Sequence, residues 1–162
     1  MTTTSAIFDN AIISALSSNT PGQMTWVNGN AKWYLLLTTS TQPTKNSWTT
    51  YTNVTSQLTG TNYSAGGVVM APVTPTLSGA SPNVAQFTCG NTVFGTVGSP
   101  LTTTSGAATF GVVQFTGAAA NTSTNPLWSY HDFGGGQTVT AGILTLTWAA
   151  TGVFTITIAS AA

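Results

Sequence analysis

Charge is what this chain has least of. Only 2% of its 162 residues are charged, against about a quarter in an ordinary soluble domain. The set is Asp9, Lys32, Lys45 and Asp132, with no arginine and no glutamate. Two lysines cannot make the basic patch that phosphate neutralisation requires, which argues against nucleic acid as a partner. The same scarcity argues against electrostatic docking to an anionic membrane. Formal net charge is zero, so repulsion does not keep copies apart and association is expected, including homo-oligomers. Adaptation to an acidic or hot medium is the rival explanation.

Cysteine is nearly absent too. Cys89 is the only one, so no intramolecular disulfide forms and the fold does not depend on an oxidising compartment. A lone cysteine beside Phe87 reads as a small core residue rather than a nucleophile. No basic residue precedes the first apolar stretch, so no signal peptide is expected. No apolar run approaches the length of about 20 residues that spans a bilayer. The expectation is synthesis in a cytoplasm.

What the chain does have is threonine, about a fifth of all residues, interleaved with apolar residues at a period of two. Phe154, Ile156 and Ile158 alternate with Thr155 and Thr157; Leu144, Leu146 and Trp148 alternate with Thr145 and Thr147. Each stretch therefore predicts a strand with one apolar and one hydroxyl-lined face. A turn at Thr151-Gly152 predicts that the two form a C-terminal hairpin, and Gly134-Gly135-Gly136 is expected to be a flexible hairpin connection before them.

Taken in order, residues 2–4 read as a short arm. Residues 5–16 carry Ile7, Phe8, Ala11, Ile12, Ala15 and Leu16 at helical spacing, the one good helix candidate, with Asp9 favouring the dipole of its first turn. Residues 24–27 predict a short strand before an Asn28-Gly29-Asn30 turn. Residues 32–39 (KWYLLLTT) predict a strand buried on both sides. Residues 48–57 read as a strand or a short irregular segment. A turn around Tyr63 leads to a strand over 68–72. Four prolines break residues 72–105 into short pieces, with strand fragments at 85–89 and 92–96, and 107–116 (AATFGVVQFT) is another strand. The fold class expected is mainly β: a β-sandwich or barrel of about eight to ten short antiparallel strands with one N-terminal helix. It forms a single domain over 1–162, with its sheet region over 24–159.

The order of these elements is recognisable. YLLLTTS (34–40) is followed by TGTNYSAGGVVM (59–70), GVVQFTG (111–117), NPLWSYHDFGGGQTVTAG (125–142) and LTLTWAATGVFTITI (144–158). That succession resembles a family of small tailed-bacteriophage virion structural proteins. Their members carry a Leu-Leu-Thr-Ser strand, a Gly-Thr-Gly-Tyr-x-x-Gly-Gly turn, a Pro-Leu-x-x-Tyr-x-Asp-Phe-Gly strand and a closing Thr-x-x-Trp-x-x-x-Gly-x-Phe hairpin. The resemblance covers most of the chain and is weakest over 71–105. It implies a non-enzymatic virion protein that decorates and cements the outside of the capsid lattice, with the major capsid protein as partner. A tail or neck component of the same particle is the alternative. The chain departs from those relatives in its missing acidic residues and in having His131 where an apolar residue is common.

Chemistry is sparse. His131-Asp132 among many serines invites a hydrolase reading, but adjacent strand residues point to opposite faces, so Asp132 cannot orient His131 as a triad requires. One histidine, one cysteine and two aspartates, widely separated, make no zinc ligand set, and no cofactor is expected. The five tryptophans are the feature with a functional alternative, because exposed rings on a β protein can stack on sugars. On residues 127–133, Trp128 and Tyr130 are expected on one face, with Leu127, His131 and Phe133 on the other. Whichever face leaves the core is the candidate interface, so Trp128, Tyr130, His131 and Phe133 are the candidate contact residues. A carbohydrate-binding adhesion module is the reading from another class.

Overall fold

A computed structural model describes residues 5–9, 32–39, 41–72, 76–78, 81–116 and 123–157. The chain is mainly β and its sheets are antiparallel. Twelve strands occur among the described residues. A five-stranded sheet joins β1 (Ser5–Ile7), β10 (Leu127–Gln137), β9 (Ala108–Thr116), β2 (Lys32–Thr38) and β4 (Val68–Val69), in the order β1-β10-β9-β2-β4. Three smaller sheets accompany it. β12 (Phe154–Thr157) pairs with β6 (Ser81–Phe87), which pairs with β5 (Thr76–Ser78); β11 (Leu144–Leu146) pairs with β7 (Thr92–Phe94); β3 (Gly60–Thr61) pairs with β8 (Thr102–Thr103).

The five-stranded sheet is organised by β2 and β9, paired over their length from Lys32–Thr116 to Thr38–Phe110. Directly opposed residues share a face. Trp33, Leu35 and Leu37 therefore lie with Phe115, Val113 and Gly111 on one face, which we call the inner face. Tyr34, Leu36 and Thr38 lie with Gln114, Val112 and Phe110 on the other. Both faces are covered: Leu35, Leu36, Leu37, Val112 and Val113 are fully buried. That explains why YLLLTT runs continuously apolar instead of alternating. The inner face meets the smaller sheets through aromatic rings. Trp128 lies 5.5 Å from Phe154, which stacks on Phe87 at 4.4 Å, and Tyr63 stacks on Phe94 at 6.0 Å.

Several expectations are corrected here. The helix over 5–16 is not seen: Ser5–Ile7 is a strand, and residues 10–16 lie outside the described residues. The edge of β10 offers backbone donors and acceptors that outweigh local helical spacing. Ser5, Ala6 and Ile7 oppose His131, Tyr130 and Ser129, and the Phe8 N–H donates to the Trp128 carbonyl at 2.8 Å. Asp9 follows the strand in helical conformation and lies 3.5 Å from the Lys45 Nζ. The strand over 24–27 and the turn at 28–30 also lie outside the described residues. Residues 51–53 form a 3-10 turn, and β6 runs through Pro82 close to its start.

The C-terminal hairpin is corrected as well. β11 and β12 do not pair with each other: Leu144–Leu146 lie against Phe94–Thr92, and Phe154–Thr157 against Phe87–Val84. A turn closed by the Gly152 N–H on the Ala149 carbonyl at 2.8 Å hands the chain from one sheet to the other. The triple glycine is not a hairpin connection either. β10 continues through it to Gln137 with an irregularity in register, and the Asp132 carboxylate accepts the Gly134 N–H at 2.8 Å.

The tightest backbone approach falls at Gly67, with φ +87°, where an added Cβ would strike the Leu35 carbonyl oxygen. Both the dihedral and the contact forbid a side chain. Gly67→Ala is expected to lower the unfolding free energy by about 2 to 4 kcal/mol, read from urea midpoints. Gly98→Ala, where a Cβ meets nothing within 4 Å, should stay within about 0.5 kcal/mol.

Candidate functional site

The site is built on β10, whose first half is core and whose second half is not. A register irregularity between Leu127 and Ser129 makes Trp128 an extra residue in the ladder: Leu127 opposes Gln114, and Ser129 opposes Val113. Such a bulge rotates its residue out of simple alternation. Trp128 consequently packs edge-on against Trp33 at 5.2 Å, on the inner face. Tyr130 turns the other way, against Phe8 at 5.7 Å and Phe110 at 6.4 Å. The expectation that Trp128 and Tyr130 share a face is therefore corrected. Both are buried, with 6% and 5% of their surface exposed, and neither side chain offers a contact surface. Among the described residues the Trp128 Nε1 has no hydrogen-bond partner; its ring packs against Trp33 and Phe154.

His131 and Phe133 are different. They continue the inner face past the point where rings from the smaller sheets cover it, and they wall an open cleft of about 720 Å³ between β10 and residues 144–155. Phe133 reaches across Gly111, where an added Cβ would lie 3.0 Å from its ring and from the Leu35 side chain. The opposite wall carries Leu144, Leu146 and Trp148, half-buried, with Thr145, Thr147, Thr151 and Thr155 exposed. The Trp148 indole N–H donates to the Thr92 Oγ1 at 3.1 Å, and its ring meets His131 edge-on at 5.1 Å. A smaller hollow of about 250 Å³, reached from Ile7 and Val153, touches His131 from the side of Ser129.

His131 therefore has an environment with little water. Burial pushes its imidazole pKa from 6.5 down to about 4, because the low-polarity surroundings penalise the charged form. Its Nε2 lies 3.1 Å from the Ser129 Oγ, which superficially resembles a base–nucleophile pair. Ser129 is 1% exposed, and a base of that pKa withdraws a hydroxyl proton poorly at neutral pH. Asp132 faces the other side of the strand, with one oxygen on the Gly134 N–H, so it does not orient the imidazole. The pair is best explained as mutual satisfaction of two buried polar groups.

The remaining reactive groups lie elsewhere. Burial pushes the Cys89 thiol up, the direction of an inert structural cysteine. Burial also raises the Tyr63 phenol, whose oxygen accepts the Leu37 N–H at 2.8 Å. Among the described residues no group of three His, Cys, Asp or Glu could hold a metal ion, and no helix is long and apolar enough to cross a membrane. Sequence reasoning placed His131 and Phe133 among the candidate contacts but missed Trp148 and the threonines facing them. Pairing β11 with β12 had closed the space the cleft occupies. The signal was present in Ala149-Ala150-Thr151-Gly152, longer than the two-residue turns tight hairpins favour.

Since the chain holds one histidine, its titration can be isolated. The folded pKa is about 4 and the unfolded one about 6.5, so the unfolded state takes up the proton first as pH falls. The stability contribution is complete above pH 6.5 and is lost between about 6.5 and 4, amounting to about 3 kcal/mol in total. Urea denaturation across that window should show this slope, and His131→Gln should flatten it; an unchanged slope in the variant would remove His131 from the account. Comparison with family models, with curated proteins and with solved structures finds no match for this chain.

Proposed function

We propose that this chain is a structural protein of a tailed-phage virion, a decoration or cement protein that binds the outer surface of the capsid lattice. It acts as one β-sandwich domain rather than as an enzyme. Two lines support the reading. The first is the order and spacing of the turn and strand motifs from residue 34 to 158, which resembles small virion structural proteins. The second is the observation that carries it physically: the surface has almost no charge and exposes apolar residues.

Two of the four charges, Asp9 and Lys45, lie within 3.5 Å of each other. Val97 at the tip of a tight turn is 92% exposed, and Val69, Val93 and Ile143 are each about half exposed. An uncharged protein with apolar residues in solvent gains most when another surface covers them. A lattice of major capsid protein subunits does this by apolar and hydroxyl contact, with homo-oligomers at symmetric positions. The role is mechanical: the domain bridges neighbouring subunits and adds buried area to their contacts. A tail or neck position in the same particle uses the same surface chemistry.

Adhesion without charge should be nearly independent of ionic strength. Binding of the purified protein to undecorated shells is expected to change less than about twofold between 50 and 500 mM salt. A loss of tenfold or more would contradict the reading. Cryo-electron microscopy of particles from the producing lysate gives the position directly. Density for this fold repeated over the shell is the expected result; density confined to the neck or tail selects that position, and absence from purified virions ends the proposal.

A further inference from the structure

We propose that the cleft between β10 and residues 144–155 binds a neutral saccharide, seated against Trp148 and hydrogen-bonded by the threonines around it. The inference is independent of where on a particle the protein sits. It also relocates the aromatic feature of the sequence, because Trp128 and Tyr130 are buried and cannot meet a ligand.

Size and shape come first. At about 720 Å³ the cleft falls in the range of small-ligand sites, and it is open at its mouth, as an extended chain of sugar rings requires. Its chemistry is mixed in the way a sugar is mixed. A pyranose has an apolar face of C–H groups and a rim of hydroxyls. The cleft has half-buried apolar surface from Trp148, Phe133, Leu144 and Leu146, with exposed Thr147, Thr151 and Thr155 at its rim; Thr145, opposite the exposed Val93, turns to the other face of β11. The Gln137 amide lies on the same lining and supplies both a donor and an acceptor of the kind sugar hydroxyls use.

Charge narrows the class. Neither lysine lines the cleft, and the chain has no arginine, so phosphorylated, sulfated and carboxylated sugars would find no counter-charge there. His131 is the remaining titratable group on this wall, and it presents a neutral ring near pH 7. A peptide is the less suitable occupant, because protein contacts lean on deep apolar anchor pockets, whereas exposed positions here are threonines.

The platform is also preorganised. Trp148 is held by its N–H on the Thr92 Oγ1 and by the edge contact with His131, so binding costs little further ordering of the ring. The hydrogen bond points the polar edge of the indole toward β7 and leaves the exposed part of the ring without a polar demand of its own.

The test is isothermal titration of the full chain with glucose, galactose, mannose, N-acetylglucosamine and their neutral oligomers, backed by saturation-transfer NMR. At least one should bind with a dissociation constant of about 10 mM or tighter, with no change between 50 and 500 mM salt. Trp148→Ala should weaken it by about tenfold or more and Trp148→Phe by less. If Trp148→Ala fails to fold by thermal melt, the exposed pair Thr147→Val and Thr155→Val is used instead, with a loss of several-fold expected. Three outcomes overturn the proposal: no binding to any of these sugars, binding undiminished in the folded variants, or a preference for the sulfated or phosphorylated forms. Loss of self-association in Trp148→Ala without any sugar binding would overturn it too, and would give the cleft to a second copy of the chain.

Discussion

The ladder of β2, β9 and the first half of β10 is covered on both faces, and that constraint governs much of the rest. A sheet with two dry faces has nowhere to send a polar side chain, so one that enters is costly unless it finds a partner inside; among the described residues only the Thr38 Oγ1 and the Trp128 Nε1 are buried without one. Gln114, in the middle of β9, is fully buried. Its amide donates to the Gly66 carbonyl at 2.7 Å and accepts from Asn125 at 3.2 Å. One glutamine thereby ties the strand to the turn before β4 and to the approach of β10. The Asn125 carbonyl in turn receives the Tyr51 N–H at 2.8 Å. Loops far apart in sequence are fixed by what the core has to satisfy.

The same constraint explains why the β10 bulge matters. With strict alternation, Trp128 would join Tyr130 on the outer face and leave a gap beside Trp33. The extra residue lets both rings be buried, one on each side of the sheet, as the contacts with Trp33 and Phe110 show. Past the bulge alternation resumes, and Ser129, His131 and Phe133 follow one another along the inner face. Ser129 is fully buried, whereas His131 and Phe133 are half-buried and wall the cleft. A packing irregularity at one residue is what separates the buried half of the strand from the half that faces the cleft.

The fold class was legible because it rests on local pattern. Period-two alternation around 108–116 and 144–148, and the continuous apolar run of β2, are consequences of where side chains point, and they survive any pairing of strands. Pairing itself was not legible. Leu144–Leu146 and Phe154–Thr157 are neighbours in sequence with the look of a hairpin, yet each pairs with a strand from residues 81–94. That segment was the hardest to read, broken by prolines and weakest in resemblance. Ser5–Ile7 failed for a related reason: at these three residues an available strand edge outweighs local helical spacing. The candidate site was half legible, since His131 and Phe133 stand on a recognisable strand, whereas Trp148 comes opposite them only through the long-range pairing of β11 with β7.

Scarcity of charge connects core, site and surface. In an ordinary domain a histidine beside a carboxylate on a half-open strand would meet nearby cations and anions, and its protonation would follow them. Here burial is the cause of the His131 shift, and its main polar neighbour is a serine. The ring stays neutral and serves as a packing surface for Trp148. Threonine supplies polarity without charge, which keeps a hydroxyl-rich surface wet while leaving it indifferent to salt. Whether such a surface meets a capsid lattice or a sugar, the contacts available to it are short-ranged, so shape must carry the specificity that long-range electrostatics supplies elsewhere.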